Sequence, residues 1–202
     1  GFGVSARGIA VIDPDVREQE LSELQASGVV GVRFNLVQRG ATNESMLKGV
    51  AERIKELHWH LQLHLFPEDF LRLADQLCNL GLPVVLDHFA RVQTAPALAH
   101  KVEEKVTQLL TTGLGWIKFS GAYIASFDAP DYKNLDQFVS RLIEKHSDRI
   151  VWGSDWPHVT EPLKPDDAHL ANLLQRWMPE EAMRQRVLVE NPARLYGFGA
   201  PI

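Results

Sequence analysis

Polar residues stand just after several apolar runs of this chain: Arg33-Phe34-Asn35, His64, Asp87-His88, Ser120 and Ser154-Asp155. The set holds imidazoles, carboxylates and a guanidinium from distant parts of the sequence, so they can act together only if the fold gathers them. Gathered, such N and O donors (His64, His88 and Asp155) could hold Zn²⁺ or a similar divalent ion. Equally, Asp155 could act as general base on water while a histidine polarises a carbonyl. Arg33, Arg39 and Arg91 form a second constellation. Three guanidiniums at one mouth would suit a substrate with two carboxylates, each gripped by paired N–H donors. Each residue also has an ordinary structural role open to it. A lone histidine at a strand end is more often a satisfied structural residue, and each arginine could bridge to a local Asp or Glu. Asp87 adjoins His88 and should point to the opposite side of its strand, because side chains alternate there. Lys118 lies inside an apolar strand, which is costly unless it is paired.

The elements that must position these residues alternate. Residues 7–12, 29–36, 61–66, 83–89, 116–120 and 149–152 read as strands. Asp13-Pro14-Asp15 should open a helix, since Asp caps free amides and Pro fits the first turn. Amphipathic spacing marks further helices over 44–57, 67–80, 96–112 and 135–146, with a helical remainder ending at Asn191-Pro192-Ala193-Arg194-Leu195-Tyr196. Strand–helix repetition implies parallel strands joined by right-handed crossovers. No Gly-rich phosphate loop follows any strand, and polar residues collect beyond the strands' carboxyl ends. Both facts favour an α/β barrel of the (β/α)₈ TIM type over an open nucleotide-binding sheet. Such a barrel needs eight units and typically ~250 residues. The expectation is therefore one barrel domain over residues 1–202, amino-terminally truncated, with about the first two βα units missing.

Composition narrows the function classes. Of 202 residues, 45% are hydrophobic and 23% charged, and the formal charge of −5 with no basic run argues against nucleic acid as a partner. The single cysteine, Cys78, excludes an intramolecular disulfide framework and a cysteine-based zinc cluster. No apolar stretch approaches the ~20 residues needed to span a bilayer. With no export signal at the start, a cytoplasmic protein without membrane contact is expected. The sequence does not set the oligomeric state, though solvent-exposed barrel helices often make homodimers.

Three segments then resemble a known family: Val84-Val85-Leu86-Asp87-His88-Phe89-Ala90-Arg91, Arg149-Ile150-Val151-Trp152-Gly153-Ser154-Asp155-Trp156-Pro157, and Asn191-Pro192-Ala193-Arg194-Leu195-Tyr196. In this order and spacing they look like the metal-dependent amidohydrolase superfamily, amidohydrolase 2 type. The nearest branch is the one around 2-pyrone-4,6-dicarboxylate hydrolase. Gly31-Val32-Arg33-Phe34-Asn35-Leu36 with Arg39 is similar to that branch's Arg-bearing strand. The resemblance implies a (β/α)₈ barrel in which His88 matches the histidine of the sixth strand and Asp155 the aspartate ending the eighth. It implies that Asp155 deprotonates the attacking water and that histidines polarise the lactone carbonyl. By the same resemblance Arg33, Arg39 and Arg91 grip substrate carboxylates, and His64 falls where other members place a metal ligand. One divalent metal, Zn or Mn, belongs to most of the superfamily, while this branch can work without a tightly bound ion. The family's His-x-His on the first strand has no counterpart here. His58-Trp59-His60 has the spacing but begins a middle strand, so the pair is expected in an upstream segment.

The leading expectation is thus a hydrolase that opens a small carboxylated lactone, with Asp155 and His88 catalytic and Arg33, Arg39, Arg91 and Tyr123 around the substrate. Tyr123 and His158 enter as residues that follow strand ends. Alternatives are a metal-dependent decarboxylase of the same superfamily, with His64 or His88 as a ligand of its ion, and an inactive barrel fragment that serves as a binding module.

Overall fold

In the computed structural model, which describes residues 5–38 and 40–199, six strands form one parallel sheet. They are β1 (Gly8–Ala10), β2 (Val29–Asn35), β3 (His60–His64), β4 (Val84–Leu86), β5 (Gly115–Ser120) and β6 (Ile150–Gly153). They pair in sequence order. Each step between parallel neighbours needs a crossover, and right-handed crossovers that advance in one direction put the helices on a single face. The outcome is a curled half-barrel, open between β1 and β6, and not the closed eight-stranded cylinder.

The outer layer follows the apolar spacing. It contains α1 (Glu18–Ala26), α2 (Leu47–Lys55), α3 (Pro67–Cys78), α4 (Ala99–Thr111), the short α5 (Ala122–Ala125), α6 (Asp136–His146) and α7 (Asp167–Trp177). After these come α8 (Glu181–Gln185), a π-helical turn over Arg186–Glu190, and α9 (Asn191–Tyr196). In α3, Pro67 sits at the first position, Glu68 and Asp69 favour the amino end, and Phe70, Leu73 and Leu77 are buried. Burying each such side chain contributes about 1.5–3 kcal/mol, which outweighs the absence of a side-chain cap at Phe66. Among the described residues, no helix is long and apolar enough to cross a membrane.

Strict alternation divides the strands. Val32, Phe34, Leu61, Leu63, Ile117 and Phe119 face the helices and join the main core. The residues between them, including Arg33, Gln62, His64 and Lys118, face the concave side. There Gly31 pairs in register with His60, and a Cβ on Gly31 would lie 2.6 Å from the imidazole. Only glycine leaves room for that ring. Val85, Trp116 and Val151 with Leu195 close the concave side from below as a small apolar floor.

Two local readings are corrected. Asp13-Pro14-Asp15 does not open a helix: Val16 N–H donates to Asp13 O at 3.1 Å, and Ile12 and Val16 are buried. That turn is anchored in the core, which delays α1 to Glu18. The fourth strand ends at Leu86, short of the expected 89, because the backbone turns left-handed at His88.

The carboxyl-terminal segment is fastened by Asn191. Its Nδ2 donates to Ser147 O at 2.8 Å and to Ile150 O at 2.7 Å, tying α9 to the start of β6. The residue is 2% exposed, so Asn191→Ala would strand two carbonyls away from water. We expect a loss of about 2 kcal/mol, seen as a fall in Tm of about 4–8 °C in thermal unfolding. An unchanged Tm would remove this clamp from the account of stability.

Candidate active site

The concave side carries a buried ionic network. Asp87 is 3% exposed. Its Oδ2 accepts from Gln62 Nε2 at 2.9 Å and lies 3.2 Å from Arg33 NH2. Lys118 Nζ stands 3.0 Å from Asp87 Oδ1 and donates to Gln62 Oε1 at 2.7 Å. Burial alone would raise the Asp87 pKa. The neighbouring cations, Lys118 foremost, outweigh it and hold the carboxyl below its usual range. Asp87 therefore shares the concave side with His88, against the strand-alternation expectation. Alternation stops with the strand, and the turn that follows re-aims both side chains.

That turn is unusual. His88, Phe89, Ala90 and Arg91 all have positive φ, 52°, 53°, 52° and 51°, in a conformation that costs an L-residue roughly 1–2 kcal/mol. It folds His88 beneath the mouth, where Nδ1 lies 3.2 Å from Ser120 O. A carbonyl oxygen only accepts, so this contact favours the proton on Nδ1 and a lone pair on Nε2, with the Ser120 hydroxyl oxygen, 3.3 Å from Nδ1, as a second acceptor beside it. Burial holds the His88 pKa below the ordinary histidine value. Its Nε2 is 3.9 Å from Asp155 Oδ1. Asp155 has φ 65° and follows β6. Gly121, at φ +56°, admits the pair: a Cβ there would come within 3.0 Å of His88 Nδ1 and 3.1 Å of Asp155 Oδ2.

Tyr123, expected among the substrate contacts, is hydrogen-bonded to the Asp155 carboxylate. Its hydroxyl donates to Asp155 Oδ2 at 2.6 Å and lies 2.9 Å from His158 Nδ1. Burial and that hydrogen bond push the phenol well above its usual range, so it remains a donor. Arg33, His88, Lys118, Asp155, Trp156 and Tyr196 are among the residues around a cavity of about 370 Å³. Trp156 is 73% exposed there.

Arg91 stands beside this group. Its NH1 lies 3.2 Å from His64 Nε2 and its guanidinium 5.0 Å above the Phe66 ring. Among the described residues no carboxylate pairs with it, and its Nε is buried without a partner. Burial, with His88 next, pushes the His64 pKa down to about 3, so at neutral pH His64 Nε2 is an acceptor occupied by Arg91. Arg39 lies outside the described residues. Lys118, Gln62 and Tyr196 belong to the site although the sequence reading gave them no role. The signal for Gln62 was its place in His60-Leu61-Gln62-Leu63-His64, polar at every second position.

A metal fits these residues only in part. His88 Nε2 and Asp155 Oδ1 point toward each other, and the Nδ1–H donated to a carbonyl is the outer support usual for a metal-bound histidine. His64, the third expected ligand, is committed to Arg91. Among the described residues, no group of three or more His, Cys, Asp or Glu could hold an ion. A zinc site usually takes three or four protein ligands, so the described residues do not make one by themselves.

The chain is 36% identical over 184 residues to 4-sulfomuconolactone hydrolase of Rhizobium radiobacter, covering 88% of this chain and 62% of that protein. It is 36% identical over 204 residues to D-galactarolactone isomerase of Agrobacterium fabrum, covering 96% and 68%. With the 2-pyrone-4,6-dicarboxylate hydrolase of Comamonas testosteroni it shares 32% over 210 residues, again 96% and 68%. The chain thus spans 62% to 68% of the length of these curated relatives. Among solved structures, an apo crystal structure from Agrobacterium tumefaciens superposes with a TM-score of 0.89 at 32% identity, over 98% of this chain and 71% of that one. An amidohydrolase from Burkholderia multivorans with bound zinc shares the fold, at TM-score 0.76 and 20% identity, over 96% and 74%. The amidohydrolase family profile matches residues 2–198, nearly the whole of the half-barrel that carries His88 and Asp155, and the chain belongs to that family.

Proposed function

We propose that the protein opens a carboxylate-bearing lactone, of the 2-pyrone-4,6-dicarboxylate kind, by attack of a water that Asp155 deprotonates. The observation that carries this reading is the approach of Asp155 Oδ1 to the His88 lone pair, 3.9 Å apart on one cavity, beside an arginine with no carboxylate partner among the described residues. A water between them could give one proton toward Asp155 while His88 Nε2 accepts the other, which turns its oxygen toward the substrate. The water oxygen bonds to the ring carbonyl carbon, and its proton passes to Asp155. The ring C–O bond then breaks, and the leaving oxygen takes the proton back.

His88 is not the oxyanion donor in this scheme, because its proton sits on Nδ1. That task falls to the cavity cations. Arg33 and Lys118 oppose the single carboxylate of Asp87, which leaves a net positive charge where the carbonyl oxygen becomes negative. Arg91, pre-set by His64 and Phe66, would hold a substrate carboxylate. The names of the relatives support a lactone as substrate.

Isomerisation of a lactone is the second reading, favoured by the 36% identity to the galactarolactone isomerase. Turnover in H₂¹⁸O separates them. Hydrolysis gives a ring-opened acid carrying one labelled oxygen. A rearranged, unlabelled lactone would favour the isomerase, and release of CO₂ the decarboxylase expected as an alternative from sequence.

Asp155→Asn should lower kcat about 10²–10⁴-fold while the variant folds normally by circular dichroism. Near-normal turnover would remove Asp155 as the base. Arg91→Met should leave kcat nearly intact and raise KM for a dicarboxylate lactone about 10–100-fold, the loss of a hydrogen bond to a charged group. A KM equal to wild type would place the substrate carboxylates elsewhere.

A further inference from the structure

The Asp155 carboxylate is held by a chain of side chains that leads away from the cavity. Tyr123 OH lies 2.6 Å from Asp155 Oδ2 and 2.9 Å from His158 Nδ1, and His158 Nε2 lies 3.0 Å from Asp167 Oδ1. His158 is 3% exposed, whereas the Asp167 side chain, in the first turn of α7, is 49% exposed. A hydroxyl has one proton to give. Spent on Asp155, it obliges His158 Nδ1 to donate to the phenol oxygen. The Asp167 carboxylate can only accept, from Nε2–H, so both ring nitrogens of His158 donate and the chain is built on its imidazolium form, paired with Asp167.

The backbone around His158 is fixed independently. Its φ is 55°, its N–H donates to Asp155 O at 2.9 Å, and its carbonyl accepts from Glu161 N–H at 3.0 Å and from Lys164 Nζ at 2.7 Å. His158 and Asp155 thus share one turn, and Tyr123 reaches it from α5 on the far side of Gly121.

We propose that His158, oriented by Asp167, is a positioning residue. It holds Tyr123 so that the phenol occupies Asp155 Oδ2, leaving Oδ1 as the oxygen that faces His88 and takes the proton of the attacking water. The catalytic part of this inference rests on the hydrolytic reading above. It assigns His158 and Asp167 an effect on rate with no contact to substrate. Without the chain, the carboxylate can rotate about its Cβ–Cγ bond and present either oxygen to the water or to Tyr123.

Two substitutions at position 158 isolate the essential hydrogen bond. In His158→Asn the amide nitrogen occupies the place of Nδ1 and can still donate to Tyr123. In His158→Gln the amide nitrogen takes the place of Nε2 and faces Asp167 instead. We expect His158→Gln and Tyr123→Phe each to lower kcat about 10²-fold with KM near wild type. The double variant should be no worse than either single one, and His158→Asn should recover most of the loss. Equal losses for Asn and Gln, a rise in KM at unchanged kcat, or additive losses in the double variant would overturn the proposal.

Imidazole ¹⁵N spectra of the resting protein supply a readout that needs no turnover. The His158 Nδ1 signal should move in Tyr123→Phe, and a signal indifferent to that change would overturn the chain. If the wild type opens no lactone while the signal does move, the hydrolytic reading falls and the hydrogen-bonded chain stands.

Discussion

A carboxylate shut away from water must be matched by positive charge, and in this protein that requirement falls on Asp87. Its partners come from three strands: Arg33 on β2, Gln62 on β3 and Lys118 on β5. The network therefore joins three strands to the turn that follows β4, on the concave side. Taking away one member of such a buried set typically costs 3–5 kcal/mol, because the remaining charges lose their compensation. The same network sets the polarity of the cavity above it. An apolar floor of Val85, Trp116 and Val151 closes the concave side below it, so the buried Asp87 and Lys118 charges are screened less than surface charges are.

Above that layer, the backbone departs from ordinary geometry where the reactive groups are held. Four successive left-handed residues follow β4, and Asp155 and His158 are left-handed after β6. Each such residue is disfavoured by contact between Cβ and its own carbonyl, so the surrounding packing must impose it. Phe89 stacks on Phe119 with ring centroids 4.7 Å apart, which pins the first of these turns into the core. The association of strained backbone with the groups that would do chemistry fits the general pattern of enzyme sites.

Much of this was readable in the linear sequence. Periodicity located the strands and most helices, because a half-buried strand must alternate and an outer helix must repeat every three or four residues. Polar strand ends picked out His88, Asp155 and Arg33, which the fold brings onto one cavity. Alternation failed at Asp87, since it holds only while the backbone stays extended, and no residue at positions 88–91 is a glycine that would announce a left-handed turn. Lys118 looked anomalous without its partner, because Asp87 lies 31 positions away in sequence and only the sheet register brings them together. Tyr123 was placed near the site, yet its bond to Asp155 depends on loop geometry that no pattern of residue types encodes.

The tail of the chain has a consequence for how the molecule opens. Arg7, just before β1, donates from Nε to Tyr196 O at 3.2 Å and from NH2 to Gly197 O at 2.8 Å, while Asn191 grips the start of β6. The two outermost strands, which share no ladder, are thus strapped by one short stretch of polypeptide. Fraying at either edge loosens the strap for the other. The rims behave as a single cooperative unit, and their amides should become accessible to solvent exchange together.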